Sequence, residues 1–363
     1  IDSLNKKFFL IINTLKIQLP IKFIYLFNWK VLRNYAFFFK KKKKNTFVKI
    51  KKKDEFHNYI IQNFYKNIPI CYLESFDFLC DLANHISIKP KKVLSGYAHF
   101  YNELFKLWSA KNNKKIQFYN IQHGGNYLKF YDVDDYERKF NKENVVWEKF
   151  HKGKNIRSLP IINYFFEKKV NYEQNSNIIF CGNEIYNYVA RITAGPLDKK
   201  EYDVFNKLKK LYLRLDKRIS SNFYYIPKRL LKSEELKEIN FIPKKNYKKP
   251  ASLKYQLKKS RLVICSYPIT SFVDSIQKVP TILFCNDEQW IFHNNMKKVF
   301  HQMKKNKLFF NDPNKLADHI NRIYEDIEKW WNDINVINTR KLFLSKFNIP
   351  QDKSIENWLK FLK

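Results

Sequence analysis

The spacing of apolar positions changes repeatedly along this chain, and each change marks a predicted element. From His57 to Asn84 apolar residues recur at helical intervals: Tyr59, Ile60, Phe64, then Ile70, Leu73, Phe76, Leu79 and Cys80. Lys92-Val93-Leu94 is a short strand ended by Ser95-Gly96, Tyr101–Lys111 a helix, and Ile116–Ile121 a second strand. Strand, helix, strand is the unit of a parallel sheet. Val145-Val146-Trp147 and Leu159–Ile162 read as further strands, and the polar run Asn171–Asn177 as a linker. A second α/β pattern then opens with the strand Ile178–Cys181, closed by Gly182. It continues through a helix Lys199–Arg218, a strand Phe223–Ile226 and a short helix Ser252–Lys259. The buried-type runs Leu262–Cys265 and Pro280–Phe284, a strand Lys307–Phe310, an Asn311-Asp312-Pro313 turn and a helix Asn314–Trp331 complete it. The expected class is α/β: two Rossmann-like domains with parallel sheets and C-terminal helices. Its divisions are a basic, aromatic N-terminal segment (1–60), a first domain (61–170) and a second (171–363).

Two stretches carry candidate chemistry. In Phe118–Tyr127 an apolar run ends in Gln122-His123 and then Gly124-Gly125, two of only six glycines in the chain. Histidine can move a proton near neutral pH. Glycine can take positive φ or let a ligand approach the backbone closely. In Arg261–Ile276 a strand runs into the hydroxyl-rich turn Ser266–Ser271 and a helix that Thr270 or Ser271 is expected to cap. Strand, hydroxyl turn and helix is an arrangement that can receive a phosphate. Between the stretches, Asp132-Val133-Asp134-Asp135-Tyr136-Glu137 contains a D-x-D triplet. With no other metal-ligand cluster around it, a solvated loop is the plainer reading, and one carboxylate serving as a general base is the intermediate one.

Composition narrows the field. The chain has 363 residues, enough for two ordinary domains, and 45% of them are hydrophobic, as in folded proteins. A net charge of +35 invites a nucleic-acid reading, but only ten of the 69 basic residues are arginine. Proteins that read bases and phosphates favour the arginine fork, so nucleic acid is not the expected partner. Lysine runs at Lys40–Lys44 and Lys51–Lys53 read first as solvated loop, with a patch for an anionic membrane surface as the second reading. Five cysteines without C-x-x-C spacing read as reduced core residues of a cytoplasmic protein. Phe8–Phe27 is apolar but interrupted by Lys16, Pro20 and Lys22, which suits a peripheral helix better than a membrane span.

These motifs support a resemblance. IQHGGNY, the RITAGP segment (Arg191–Pro196), RLVICSYPITSFVDSIQKVPTILF, Trp290, NDPNKLADHI and EDIEKWW stand here in order. Together they resemble a transferase family of bacterial surface-carbohydrate gene clusters, polysaccharide and O-antigen alike. That family is glycosyltransferase-B-like and distantly similar to capsule polysaccharide glycosyltransferases and CDP-glycerol glycerophosphotransferases. The likeness covers roughly 60–347, and it implies further residues before Ile1. This chain departs from the family pattern at Asn126, at Asp135-Tyr136-Glu137 (which lacks a His), at Asp274 in place of Glu, and at Ile291 after Trp290.

The resemblance implies two domains facing a cleft and metal-independent transfer from a nucleotide-activated sugar, CMP-linked donors included, to a glycan or lipid-linked acceptor. It needs no resident cofactor. His123 would be the base for the acceptor hydroxyl or a hydrogen-bond donor to the phosphate, with Asp135 and Glu137 next in line as base. Arg191, Lys228, Ser266, Thr270, Ser271 and Asp274 would hold the donor. Gln122, Gly124, Gly125, Asn126 and Tyr127 would shape the turn. The expected place is the cytoplasm, at the inner face of the plasma membrane. A glycerophosphotransferase using a CDP-alcohol and an inactive copy stand as alternatives.

Overall fold

The computed structural model describes residues 54–68, 72, 75–86, 90–96, 98–122, 124, 141–161, 177–182, 200–231, 233–250, 253–257, 259–286, 292–349 and 354–363. The strands among them are β1 (Lys92–Ser95), β2 (Gln117–Ile121), β3 (Glu143–Val146), β4 (Ile156–Ser158), β5 (Asn177–Cys181), β6 (Phe223–Ile226), β7 (Ser260–Cys265), β8 (Thr281–Phe284) and β9 (Phe309–Phe310). They form two sheets, ordered β1-β2-β3-β4 and β6-β5-β7-β8-β9. The pairs β1·β2, β3·β4, β5·β6, β5·β7, β7·β8 and β8·β9 are all parallel. This is the mixed α/β class that the alternating pattern predicts. By its contacts the chain forms two units, 1–121 with 141–143, and 122–140 with 144–363.

In the first unit, the helices Ala98–Tyr101 and Glu103–Asn112 carry the chain from β1 to β2. One continuous helix is expected there, but Asn102 divides it. Its Oδ1 accepts from the Phe105 amide at 2.9 Å and so starts the second helix. That helix turns Phe105 and Trp108 edge-on to Phe118 of β2, with ring centroids 6.2 and 5.7 Å apart.

In the second unit the strands bury both faces. Ile179, Cys181, Val263, Cys265 and Leu283 point into one core, while Ile178, Phe180, Leu262, Ile264 and Ile282 point into another. A strand covered on both sides reads as a continuous apolar run, which is why β5, β7 and β8 show no alternation. The first core is closed by Phe272, by Met296, Val299 and Phe300, and by Phe343. The second is closed by Phe205, Leu208 and Leu211 and by Leu316 and Ile320. Among the described cysteines, Cys181, Cys265 and Cys285 are buried and Cys80 is half-buried, and none of the four is in a disulfide.

Several boundaries differ from the pattern. The helix expected over Lys199–Arg218 is Lys200–Arg214 followed by Lys217–Ser221. Asn321 divides it, giving Nδ2–H to the Arg214 carbonyl at 3.1 Å and taking the Asp216 amide on Oδ1 at 3.2 Å. The helix expected over Asn314–Trp331 is Pro313–Ile323, a 3-10 turn and Ile327–Trp331, restarted where Asp326 accepts from the Lys329 amide at 3.0 Å. The expected strand Leu159–Ile162 lies earlier, at Ile156–Ser158: Leu159 makes a last amide bond to Val146 of β3, and the Ile161 amide turns to the Asn348 carbonyl. Lys307 is no strand residue. It has φ 62°, the one positive φ among the described residues, and closes the helix Asn294–Lys305. The linker Asn171–Asn177 lies outside the described residues apart from Asn177.

His319 gives the second unit a pH-sensitive core position. Its ring is buried against Phe310 and Trp330, with centroids 5.2 and 5.3 Å away. Burial first, then the charges of Arg322 and Lys307, depress its pKa to about 4. The neutral ring is favoured in the fold, so its contribution is full above the unfolded value near 6.5 and is lost as pH falls toward 4. That amounts to roughly 3 kcal/mol by linkage. Urea unfolding of wild type and His319→Phe at pH 7 and pH 4.5 should show a smaller pH dependence in the variant. Identical pH dependence in both would refute this assignment.

Candidate functional site at the carboxyl edge of the second sheet

β5 lies between β6 and β7, so the connection leaving β5 runs one way along the sheet and the one entering β7 runs back. Where strand order reverses, the loops after neighbouring carboxyl ends diverge and leave a crevice. The residues at that point are Gly182 after β5 and Ser266 after β7. Ser266 gives its amide and its hydroxyl proton to the Cys181 carbonyl, at 3.1 and 2.9 Å. The beginning of the hydroxyl turn is thereby bound to the neighbouring strand. Cys181 also faces Cys265. That thiol first, then burial, raises the Cys181 pKa well above its ordinary value, so the Cys181 sulfur does not have the character of a nucleophile.

At Gly182 the constraint is space. A Cβ there would stand 2.3 Å from the Tyr225 hydroxyl and 2.6 and 2.8 Å from its ring carbons. Tyr225 is buried at the end of β6, and burial above all pushes its phenol pKa far up. Past β6, Lys228 is exposed, while Arg229 turns back to grip buried Glu235 through two bonds of 2.6 and 2.9 Å. Beside this pair, Tyr247 is held by burial with a pKa raised to about 12.

The turn after β7 leads into a helix of six residues, Thr270–Ser275. The expectation that Thr270 or Ser271 caps it is not met: Ile269 holds the cap position with φ −117° and ψ −157°, and no side chain accepts there. Apolar packing of Phe272 and Val273 seats the helix, so a side-chain cap is not required. Thr270 and Ser271 are half-buried, and the Ser271 hydroxyl lies 3.4 Å from that of Tyr267. Asp274 is engaged one turn on by Lys278 in a close ion pair.

The histidine-glycine turn meets this segment. A Cβ at Gly124 would lie 3.3 Å from Thr270 Oγ1, so the side chain is missing where the other motif approaches. Gly124 does not have positive φ. Its glycine is explained by close approach and not by the turn conformation. Gln122 is buried and fully used. Its Nε2 donates to the Gly124 carbonyl at 2.8 Å and to Glu148 Oε1 at 2.9 Å, and its Oε1 accepts from the Trp147 amide at 2.7 Å.

The structure thus brings Gln122, Gly124 and Thr270 together in one unit, and sets Lys228 at the exit of β6. His123, Gly125, Asn126, Tyr127, Asp135, Glu137, Arg191 and the D-x-D triplet lie outside the described residues. Sequence reasoning passed over Glu148 and the Arg229–Glu235 pair. A lone carboxylate directly after Val145-Val146-Trp147 is the one signal that could have found the first of these.

A doubly wound parallel sheet with a hydroxyl turn at its switch point belongs to the α/β proteins that use the carboxyl edge for ligands. Residues 3–362 match the model of the LIC12162 family transferase, and the chain belongs to that family. A comparison with curated proteins finds no match. Among solved structures, S. aureus MnaA with UDP is similar at 11% identity, over 79% of this chain and 78% of that one, with a TM-score of 0.46. The wall teichoic acid polymerase TagF with CDPG is similar at 11% identity, over 69% and 67%, with a TM-score of 0.39.

Gly182→Ala should destabilise the protein by about 1–3 kcal/mol, the usual range for overpacking. Tyr225→Phe in the same chain should recover only part of the loss, because the ring carbons still clash. Urea melts of wild type and the two variants check this, and an unperturbed Gly182→Ala would count against the packing described.

Proposed function

We propose that this chain is a glycosyltransferase that moves a sugar from a nucleotide-activated donor to a surface-glycan acceptor. Family membership supports the transferase class. The observation that carries the reading is the approach of Gly124 to the Thr270 hydroxyl, which brings the segment after β2 to the hydroxyl turn at the sheet's switch point. In this proposal residues 61–170 serve the acceptor and 171–363 the donor. Thr270 and Ser271 face the donor phosphates, and Arg191 or Lys228 offsets their charge.

The acceptor oxygen bonds to the anomeric carbon while the bond from that carbon to the phosphate oxygen breaks, its electron pair leaving with the nucleotide. His123 takes the acceptor proton, or donates to the phosphate while Asp135 or Glu137 acts as base. No metal and no resident cofactor takes part. Stabilising charge as it develops on a leaving group is worth about 3–4 kcal/mol per well-placed donor.

Thermal melting with CMP, CDP, UDP, GDP or ADP tests the donor site. A nucleotide at a hundred times its Kd adds about 2.7 kcal/mol. One of them should stabilise wild type and not the double variant Thr270→Ala/Ser271→Ala. Stabilisation by none, or equal stabilisation of both proteins, would defeat the reading. CDP-glycerol consumed in place of a nucleotide sugar would convert it to glycerophosphate transfer.

The acceptor side of the proposal includes an anionic membrane surface. Among the described residues no helix is long and apolar enough to cross a membrane. Phe56, Tyr59 and Ile60 are exposed at one-turn spacing on the helix Glu55–Asn67, which follows Lys51–Lys53 in the sequence. Aromatic side chains beside lysines suit an interface of acyl chains and anionic headgroups. Vesicles containing phosphatidylglycerol should float wild type, and Phe56→Ser/Tyr59→Ser/Ile60→Ser should lose at least tenfold in binding. Equal flotation of both, or equal binding to neutral vesicles, would refute the surface role.

A further inference from the structure

Glu148 is fully buried one residue beyond the strand β3–Trp147 edge, and its Oε1 takes one of the two Nε2 protons of Gln122. The other proton goes to the Gly124 carbonyl. The Gln122 amide itself donates to the Val145 carbonyl at 2.8 Å. Gln122 therefore has a single amide orientation that satisfies two acceptors and the Trp147 donor together. The backbone of Glu148 is anchored on its other side. It bridges antiparallel to Phe347, with the Lys149 amide on Lys346 and the Asn348 amide on Trp147, both at 2.7 Å.

A carboxyl group taken wholly out of water costs several kcal/mol before its bonds are counted, and an apolar side chain of like size commonly packs as well or better. Stability alone is a poor reason for a glutamate here. We infer that Glu148 is a positioning residue: through Gln122 it sets Gly124 against the Thr270 hydroxyl at the turn after β7. The inference rests on the proposed transfer for its catalytic consequence. Its geometric half stands on Gln122, Gly124 and Glu148 alone.

Two variants of the full chain separate the roles. Glu148→Gln keeps an oxygen for the Gln122 Nε2 proton, while Glu148→Leu keeps the volume and removes the acceptor. Hydrogen exchange by mass spectrometry reads the geometry, because the Trp147 amide hydrogen is held by Gln122 Oε1. In Glu148→Leu, exchange in peptides covering Gln122–Gly124 and Trp147 should rise at least tenfold while melting temperature stays within a few degrees of wild type. Glu148→Gln should exchange as wild type does.

Nucleotide release from the donor identified by melting should show kcat lowered at least tenfold in Glu148→Leu and restored in Glu148→Gln, with KM for the donor unchanged in both. Unchanged exchange in Glu148→Leu, a uniform rise across the whole unit, or a Glu148→Gln variant that behaves like the leucine would each overturn the assignment. A wild type that releases no nucleotide would refute the transfer reading, and the exchange measurement would still decide whether Glu148 positions Gly124.

Discussion

The parallel pairing of β5 with β7, buried on both faces, is the constraint on which the rest of the second unit depends. Every side chain from Ile178 to Cys181 and from Leu262 to Cys265 is committed to one core or the other. Each such residue stabilises the fold by about 1.5–3 kcal/mol relative to an exposed position, which leaves none of them available for chemistry. Reactive groups can stand only where the strands end. The double bond from Ser266 to the Cys181 carbonyl extends the pairing one residue past the sheet and makes that edge a defined surface.

The same core explains why distant parts of the chain share one unit. Trp147 and Ile161 bury themselves among Phe272, Phe343 and Phe347. The backbone follows: Asn348 donates to Trp147, Ile161 donates to Asn348, and the Trp358 indole donates to the Pro160 carbonyl at 2.8 Å. Apolar area and backbone groups are satisfied together, so the last residues of the chain become walls for the segment that follows β3. Gln122 joins that arrangement through Trp147 and Glu148, and its glycine neighbour reaches Thr270.

Much of this was legible from residue order. The buried runs of β5, β7 and β8 announce strands covered on both sides, and Asp312-Pro313 announces the start of a helix, where Asp312 indeed accepts two amides. The failures have a common cause. Arg214–Asp216 breaks a helix because Asn321, more than a hundred residues away, takes up its end. Leu159 still bonds to Val146 of β3, but Ile161 leaves the sheet because its amide bonds to the Asn348 carbonyl. Local periodicity contains no information about such bonds.

By itself, then, the sequence determined the α/β class, the strands with two buried faces, and the two stretches that carry candidate chemistry, since all three follow from apolar spacing and local residue chemistry. Only the tertiary structure decided that Gly124 lies against Thr270, that Gly182 is required by the Tyr225 ring, and that Glu148 sits behind Gln122. Each of these is a contact between residues far apart in the chain. Contacts of that kind are selected by packing and by the need to pair every buried polar group, and both come into being only when the chain is closed on itself.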